Sequence, residues 1–172
     1  MSDILELIKA RRSAKKYTDK KVSDELLEKI AEAGTYAANG RGVQSPVIVV
    51  VKDKELRDKL SRINGSILGI DKDPFYGAPY VIVVLADSTV FTYIEDGSLV
   101  LGNMMLEATS LGVDSCWIHR ARQTFETEEG KAILKEWGLD EKYKGIGNLI
   151  IGYRDGDFKE RAPRKKDYII YK

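Results

Sequence analysis

Cysteine and histidine are almost absent from these 172 residues: Cys116 and His119 are the only ones. One thiol excludes an intrachain disulfide framework and any multi-cysteine zinc or iron–sulfur site. One imidazole excludes a two-histidine metal site within a chain. A single thiol suits a reducing compartment. Long apolar runs are missing too, since Val47–Val51 and Tyr80–Ala86 are far too short to span a bilayer. The opening Met1-Ser2-Asp3-Ile4 reaches a charge at once, without the basic and then apolar regions of a secretory leader. There is no internal repeat, low-complexity stretch or linker. The expectation is one domain over 1–172, with 154–172 as a basic C-terminal tail, located in the cytoplasm and without a membrane partner.

Net charge is also scarce. Lys and Arg number 28 against 27 Asp and Glu, a formal +1, which gives no global reason to expect a nucleic-acid partner. The distribution is uneven, however. Residues 9–21 hold seven basic groups against Asp19, and residues 159–166 hold five against Glu160, leaving 16 basic and 25 acidic residues elsewhere. Each cluster alone is what a solvated surface looks like. Together, at opposite ends of an otherwise acidic chain, they suggest one compact anion site built from both ends. A long phosphate backbone fits less well, because the acidic remainder repels it.

Apolar periodicity gives a short amphipathic helix over Asp3–Ala10 and a second, capped by Ser23, to about Ala37. Gly34 reads as the stop of that helix, and Asn39-Gly-Arg-Gly42 as a loop. Val47–Val51 is a β-branched run expected as a strand covered on both faces. Asp53 caps a helix with Leu56, Leu60 and Ile63, and residues 64–79 read as loop. Tyr80–Ala86 is a second buried strand. A helix from about Thr92 to Leu111 is apolar around most of its circumference and must lie centrally, inside the domain or at a subunit interface. Ser115–Ile118 is a short strand, Thr127 caps a helix ending at Trp137-Gly138, and Ile146–Tyr153 is a further strand. The pattern is α/β or α+β. So long an apolar helix in so short a chain argues for a partner chain.

No nucleophile–base pair stands out. The chain has no G-x-S-x-G elbow, no Walker loop and no H-E-x-x-H. His119, beside Trp117 and Ile118, reads as structural, and Cys116 as a buried small apolar residue. Anion-binding groups and glycine loops without an evident acid or base suggest that a cofactor supplies the reaction.

Five segments, in order along nearly the whole chain, carry a resemblance. They are Arg11-Arg12-Ser13; Ala37-Ala-Asn-Gly-Arg-Gly-Val-Gln-Ser45, similar to A-P-S-x-x-N-x-Q-P; Phe75-Tyr-Gly-Ala-Pro79; Asp96-Gly and Asn103-Met-Met-Leu-Glu-Ala through Leu111-Gly-Val-Asp-Ser-Cys-Trp-Ile118; and Gly147–Tyr153. In these the chain resembles the FMN-dependent nitroreductase family. The resemblance implies an α+β fold with a central, mostly antiparallel sheet flanked by helices, the long apolar helix at an obligate homodimer interface, and one FMN in each of two interfacial sites. It implies that Arg11 and Ser13, with Arg12 nearby, hold phosphate and ribityl oxygens. The phosphate carries roughly two negative charges, which a guanidinium fork suits. Arg164 and Lys166 fall where the family has a second phosphate clamp, with Lys165 as a substitute, and Lys15 where some members direct a lysine at the ring. Gln44 aligns with a glutamine that approaches the ring or ribityl chain. Gly42 departs from the pattern, standing where many members have an asparagine, with Arg41 and Asn39 the nearest replacements. Backbone N–H groups of His119 and Arg120 align with donors to flavin N5 and O4, where some members have an acidic residue and a glycine. They would act as an oxyanion hole does.

The implied reaction is ping-pong: NADH or NADPH passes hydride to N5 and leaves, and a small-molecule acceptor such as a nitroaromatic or quinone takes its place. The chain lacks the long insertion that larger relatives carry between Ala86 and Thr92, which implies an open, permissive pocket. A flavin-binding store would be yellow yet would not bleach with either nucleotide. A basic-tailed nucleic-acid binder would be colourless and would retain DNA or RNA in a salt-dependent way.

Overall fold

The computed structural model describes residues 3–172. Its centre is a four-stranded sheet in the order β1-β2-β4-β3, every neighbouring pair antiparallel. The strands are β1 (Pro46–Val51), β2 (Tyr80–Asp87), β3 (Asp114–Ile118) and β4 (Tyr143–Gly152). Helices cover both faces: α1 (Ile4–Ala10), α2 (Asp24–Thr35), α3 (Lys54–Leu68), α4 (Tyr93–Ser110), α5 (Ala121–Glu126) and α6 (Glu128–Glu136). The fold is α+β, and among the described residues no helix is long and apolar enough to cross a membrane.

Local chemistry starts the helices where the sequence predicts. Ser23, Asp53 and Thr127 each accept a hydrogen bond from a first-turn backbone N–H, of Leu26, Leu56 and Gly130 respectively. Each such cap is worth about 1 kcal/mol. Alternation along the strands then sorts the core. Val81, Val83 and Leu85 face α3, α5 and α6, while Tyr80, Ile82, Val84 and Ala86 face α2 and α4. β2 is buried along Tyr80–Ala86 because it has a strand on either side and helices on both faces.

Four expectations need correction. β1 is only half-buried, apart from Val51, because it is the sheet's edge. Gly34 does not stop α2. It lies inside the helix, where a Cβ would meet Ile48 Cδ1 at 2.8 Å and Met104 Cγ at 3.0 Å. Its missing side chain serves close packing against α4. α3 takes in residues 64–68, expected as loop, and ends at a left-handed Gly69 (φ 73°), with Gly65 buried inside the helix. β4 starts three residues early, and Ile146 is a bulge between the Val84–Gly147 and Leu85–Gly145 pairs. α5, not anticipated, sits on that bulged stretch. A Cβ on Gly145 would lie 2.4 Å from the Ala121 carbonyl, so only glycine lets α5 seat there.

The segment after α3 is tied down by charge. Arg57, 6% exposed, donates from Nε to the Ala78 carbonyl (2.9 Å) and from Nη2 to Asp73 Oδ2 (2.6 Å). Asp73 also accepts from Ser61 Oγ and from the N–H groups of Phe75 and Gly77. Partial burial pushes the Asp73 carboxyl up, but Arg57, Ser61 and the two N–H groups outweigh it and hold it below the usual carboxylate range. A carboxyl lowered in this way stabilises the fold above its unfolded pKa, near 4, and that contribution is lost as pH falls through the folded value. Asp73→Asn should therefore cost about 2 kcal/mol at pH 7, allowing for the solvent-facing part of Asp73. Urea titrations should show the gap to the parent chain narrowing between pH 5 and pH 3.

Candidate active site

The two ends of the chain are laced together by backbone hydrogen bonds. The Ala14 N–H donates to Ser115 of β3 (3.1 Å), the Thr18 N–H to Tyr153 (2.9 Å) and the Asp155 N–H to Lys16 (3.0 Å). These bridges carry the basic N-terminal segment alongside the start of the tail. Arg12 Nη2 then donates to the Lys159 carbonyl (2.6 Å), and Arg161 Nη2 to the Arg11 carbonyl (3.1 Å). Phe158 lies between two guanidiniums, 5.2 Å from Arg12 and 4.7 Å from Arg154. A cleft of about 560 Å³ opens there, lined by Arg12, Ser13, Lys15, Phe158 and Lys159 among others.

Asp155 and Asp157 of the cleft wall are taken up by Lys16 and Arg154, which leaves an excess of positive charge at this junction. Loss of water around Arg161, then the charges of Arg12, Arg164 and Arg11, push its guanidinium below its ordinary range. Among the described residues, none of these four arginines, nor Lys15 or Lys166, pairs with a carboxylate. Four gathered cations without a counter-charge form a place for a compact anion. Arg164 lies close enough for its charge to be felt at Arg161. Lys166 begins a short turn, Lys166–Tyr168, and makes no hydrogen bond or ion pair to the group. The sequence places Arg161 in the tail cluster without distinguishing it from its neighbours.

Ser13, Lys15 and Arg11 lie near the Cys116 thiol. Burial pushes that thiol up, and these three neighbours only partly oppose the effect. Cys116 is 5% exposed and in the core.

At its other end β3 breaks into a tight turn at His119-Arg120. Arg120 is left-handed, with φ 73°, and precedes α5. Asn64, fully buried on α3, donates from Nδ2 to the His119 carbonyl (2.8 Å), and its Oδ1 accepts from Arg120 Nε (3.1 Å). Among the described residues, the backbone N–H groups of His119 and Arg120 find no acceptor. Beside them is a cavity of about 260 Å³ with Trp117, Ala121 and Ile146 in its wall. Two idle N–H donors thus sit roughly 13 Å along β3 from the Ser115 end where the arginines gather. The His119 side chain is exposed and has no hydrogen-bond partner among the described residues.

Gln44 is elsewhere. It lines a separate cavity of about 280 Å³ with Asn39, Asp96 and Val100. Its own loop is unusual: Arg41, Gly42 and Gln44 all have positive φ. Buried Asp96 holds the loop, accepting from the Gly40 N–H (2.9 Å), Ser45 Oγ (2.9 Å) and Thr92 Oγ1 (3.1 Å). Neither Asn64 nor Asp96 had been read as a positioning residue. For Asp96 there is a signal, an acid beside Glu95 in the first turn of an otherwise largely apolar helix. Asn64 had none.

Among the described residues, then, the structure offers an anion clamp and a pair of oriented donors, but no nucleophile hydrogen-bonded to a base. The raised, buried thiol should be inert. Thiol-blocking reagents should label Cys116 at least ~100-fold more slowly in the native protein than in urea, as followed by mass spectrometry.

The Nitroreductase family model matches residues 8–69 and 66–153. A putative NADH dehydrogenase/NAD(P)H nitroreductase of Archaeoglobus fulgidus is 30% identical, with 95% of this chain and 94% of the relative covered. A solved nitroreductase with bound FMN from Bacteroides fragilis superposes with a TM-score of 0.90 at 29% identity, covering 99% of both chains. Another with bound FMN, from Desulfitobacterium hafniense, gives 0.87 at 28% identity, covering 99% of this chain and 98% of the other. A match running through both the arginine segment and the β3 turn has one meaning: this chain belongs to the Nitroreductase family.

Proposed function

We propose that the chain is an FMN-dependent oxidoreductase of the cytoplasm that draws reducing equivalents from NADH or NADPH and delivers them to small nitroaromatic or quinone acceptors. The observation that carries this reading is the cluster of Arg11, Arg12, Arg161 and Arg164, drawn from both ends of the chain, none of them ion-paired with a carboxylate among the described residues. A phosphate monoester fits that cluster, and the acceptor-free N–H groups of His119 and Arg120 fit a ring edge with oxygen and nitrogen acceptors. The two structural neighbours with bound FMN support the choice of flavin.

In this reading Arg11 and Arg161 neutralise the phosphate. Arg12, Arg164 and Ser13 flank it, and Lys15 lies toward the ring. Bound FMN supplies hydride acceptance and donation at N5. The N–H groups of His119 and Arg120 would offset negative charge on the ring side as donors already oriented toward it. No side chain is asked to act as acid or base, since solvent supplies protons. Donor and acceptor share one slot, which gives ping-pong kinetics. The short link between β2 and α4 leaves that slot open and its acceptor choice broad.

The active unit in this reading is a homodimer. Ile4, Leu5 and Ile8 of α1 are 70%, 50% and 47% exposed, and the tail ends in the exposed run Tyr168–Tyr171. On α4, Ile94 and Leu99 also face outward. A second copy would cover these surfaces, and the loop carrying Gln44 would reach the site across that interface. Ile8→Asp should therefore shift the protein toward monomer in sedimentation velocity and lower its flavin content.

Two tests address the flavin directly. Purified protein should be yellow and should bleach when NADH or NADPH is added without oxygen. A spectrum unchanged by both nucleotides would instead favour a flavin store. Arg11→Ala should weaken FMN binding about 10- to 100-fold by fluorescence titration, the effect of losing a charged hydrogen bond. Unaltered affinity would contradict the phosphate assignment.

A further inference from the structure

We infer that Asn64 is the positioning residue of the flavin site, acting through the His119–Arg120 peptide; this rests on the flavin reading above. The argument is geometric. In a trans peptide the carbonyl and the N–H point in opposite directions. Asn64 Nδ2 holds the His119 carbonyl at 2.8 Å, and Asn64 is fully buried on α3, so that carbonyl is drawn into the protein. The N–H of the same peptide belongs to Arg120, and it is thereby turned outward, where no protein acceptor meets it.

The other end of the Asn64 amide strengthens the arrangement. Its Oδ1 accepts from Arg120 Nε at 3.1 Å, fastening the side chain of the residue whose backbone is left-handed at φ 73°. That conformation costs a non-glycine residue roughly 1 kcal/mol and needs support from its surroundings. Both amide ends are spent on one turn, so Asn64 sets the peptide plane and also holds the residue that strains it. Without Asn64 the buried carbonyl would lack a donor, and rotating the peptide would relieve both problems while turning the Arg120 N–H away from the cavity.

The test uses the holoprotein and its variants Asn64→Ala, Asn64→Asp and Asn64→Ala/Arg120→Gly, with binding of FMN and of riboflavin, which lacks the phosphate, measured by fluorescence titration. Asn64→Ala should weaken both ligands about tenfold, whereas Arg11→Ala should weaken FMN alone. The bound flavin should also become harder to reduce, by about 30 mV if the reduced ring loses ten times more affinity than the oxidised one. Asn64→Asp matches the parent in shape and keeps its acceptor for Arg120 Nε, whose charge offsets the buried carboxylate, so it should fold even if the alanine variant does not. It presents a carboxylate to the His119 carbonyl, so it should show the same losses despite unaltered packing. Arg120→Gly should return at least threefold of the affinity lost in Asn64→Ala, because glycine holds the left-handed turn unaided. Should Asn64→Asp keep the parent's riboflavin affinity and reduction potential, the inference fails while the flavin reading stands. Absence of FMN binding by the parent protein would instead remove the flavin reading itself.

Discussion

Guanidinium groups repel one another, and the rest of this site depends on how the fold overcomes that repulsion. It uses neutral acceptors. Arg161 reaches the carbonyl of Arg11, and Arg12 reaches the carbonyl of Lys159, so each basic segment holds a side chain of the other without spending a carboxylate. The backbone bridges from Ala14, Thr18 and Asp155 supply the framework. The charges remain uncompensated toward solvent. A fold that had balanced them with Asp or Glu would have gained local stability and lost its attraction for an anion.

β3 connects this clamp to the donors. Its first half receives the N-terminal segment at Ser115, and its last residue, Ile118, leads into the turn that Asn64 grips. The strand is held in register against β4, the neighbour of β2. The distance between anion clamp and donor pair is therefore set by the sheet and not by a loop, and a rigid spacing of this kind suits a ligand with a charged end and a flat polar end. The Arg57–Asp73 network serves the same arrangement at one remove, because it ties the segment following α3, the helix that presents Asn64.

How far the sequence could be read divides along physical lines. Caps at Ser23, Asp53 and Thr127 were legible because each is satisfied within a few residues. β2 and α4 were legible from their apolar runs. Gly34 was misread because a glycine admitting a close neighbour looks, in one dimension, like a glycine ending a helix. β1 was given two covered faces because a β-branched run does not reveal that a strand will lie at an edge. α5 escaped notice because six residues are too few for a periodicity, and its place depends on the absent side chain of Gly145.

The sequence by itself determined that the chain has opposed basic ends, a family pattern in five ordered segments, and a single cysteine and a single histidine. All of these are properties of residue type and order. Only the tertiary structure decided that Arg161 joins Arg11, Arg12 and Arg164, that Gln44 faces a different cavity from theirs, and that Asn64 and Asp96 hold the two strained turns. These facts rest on contacts between residues 55 to 150 positions apart. Contacts over such spans are set by packing and sheet register, which no local pattern encodes.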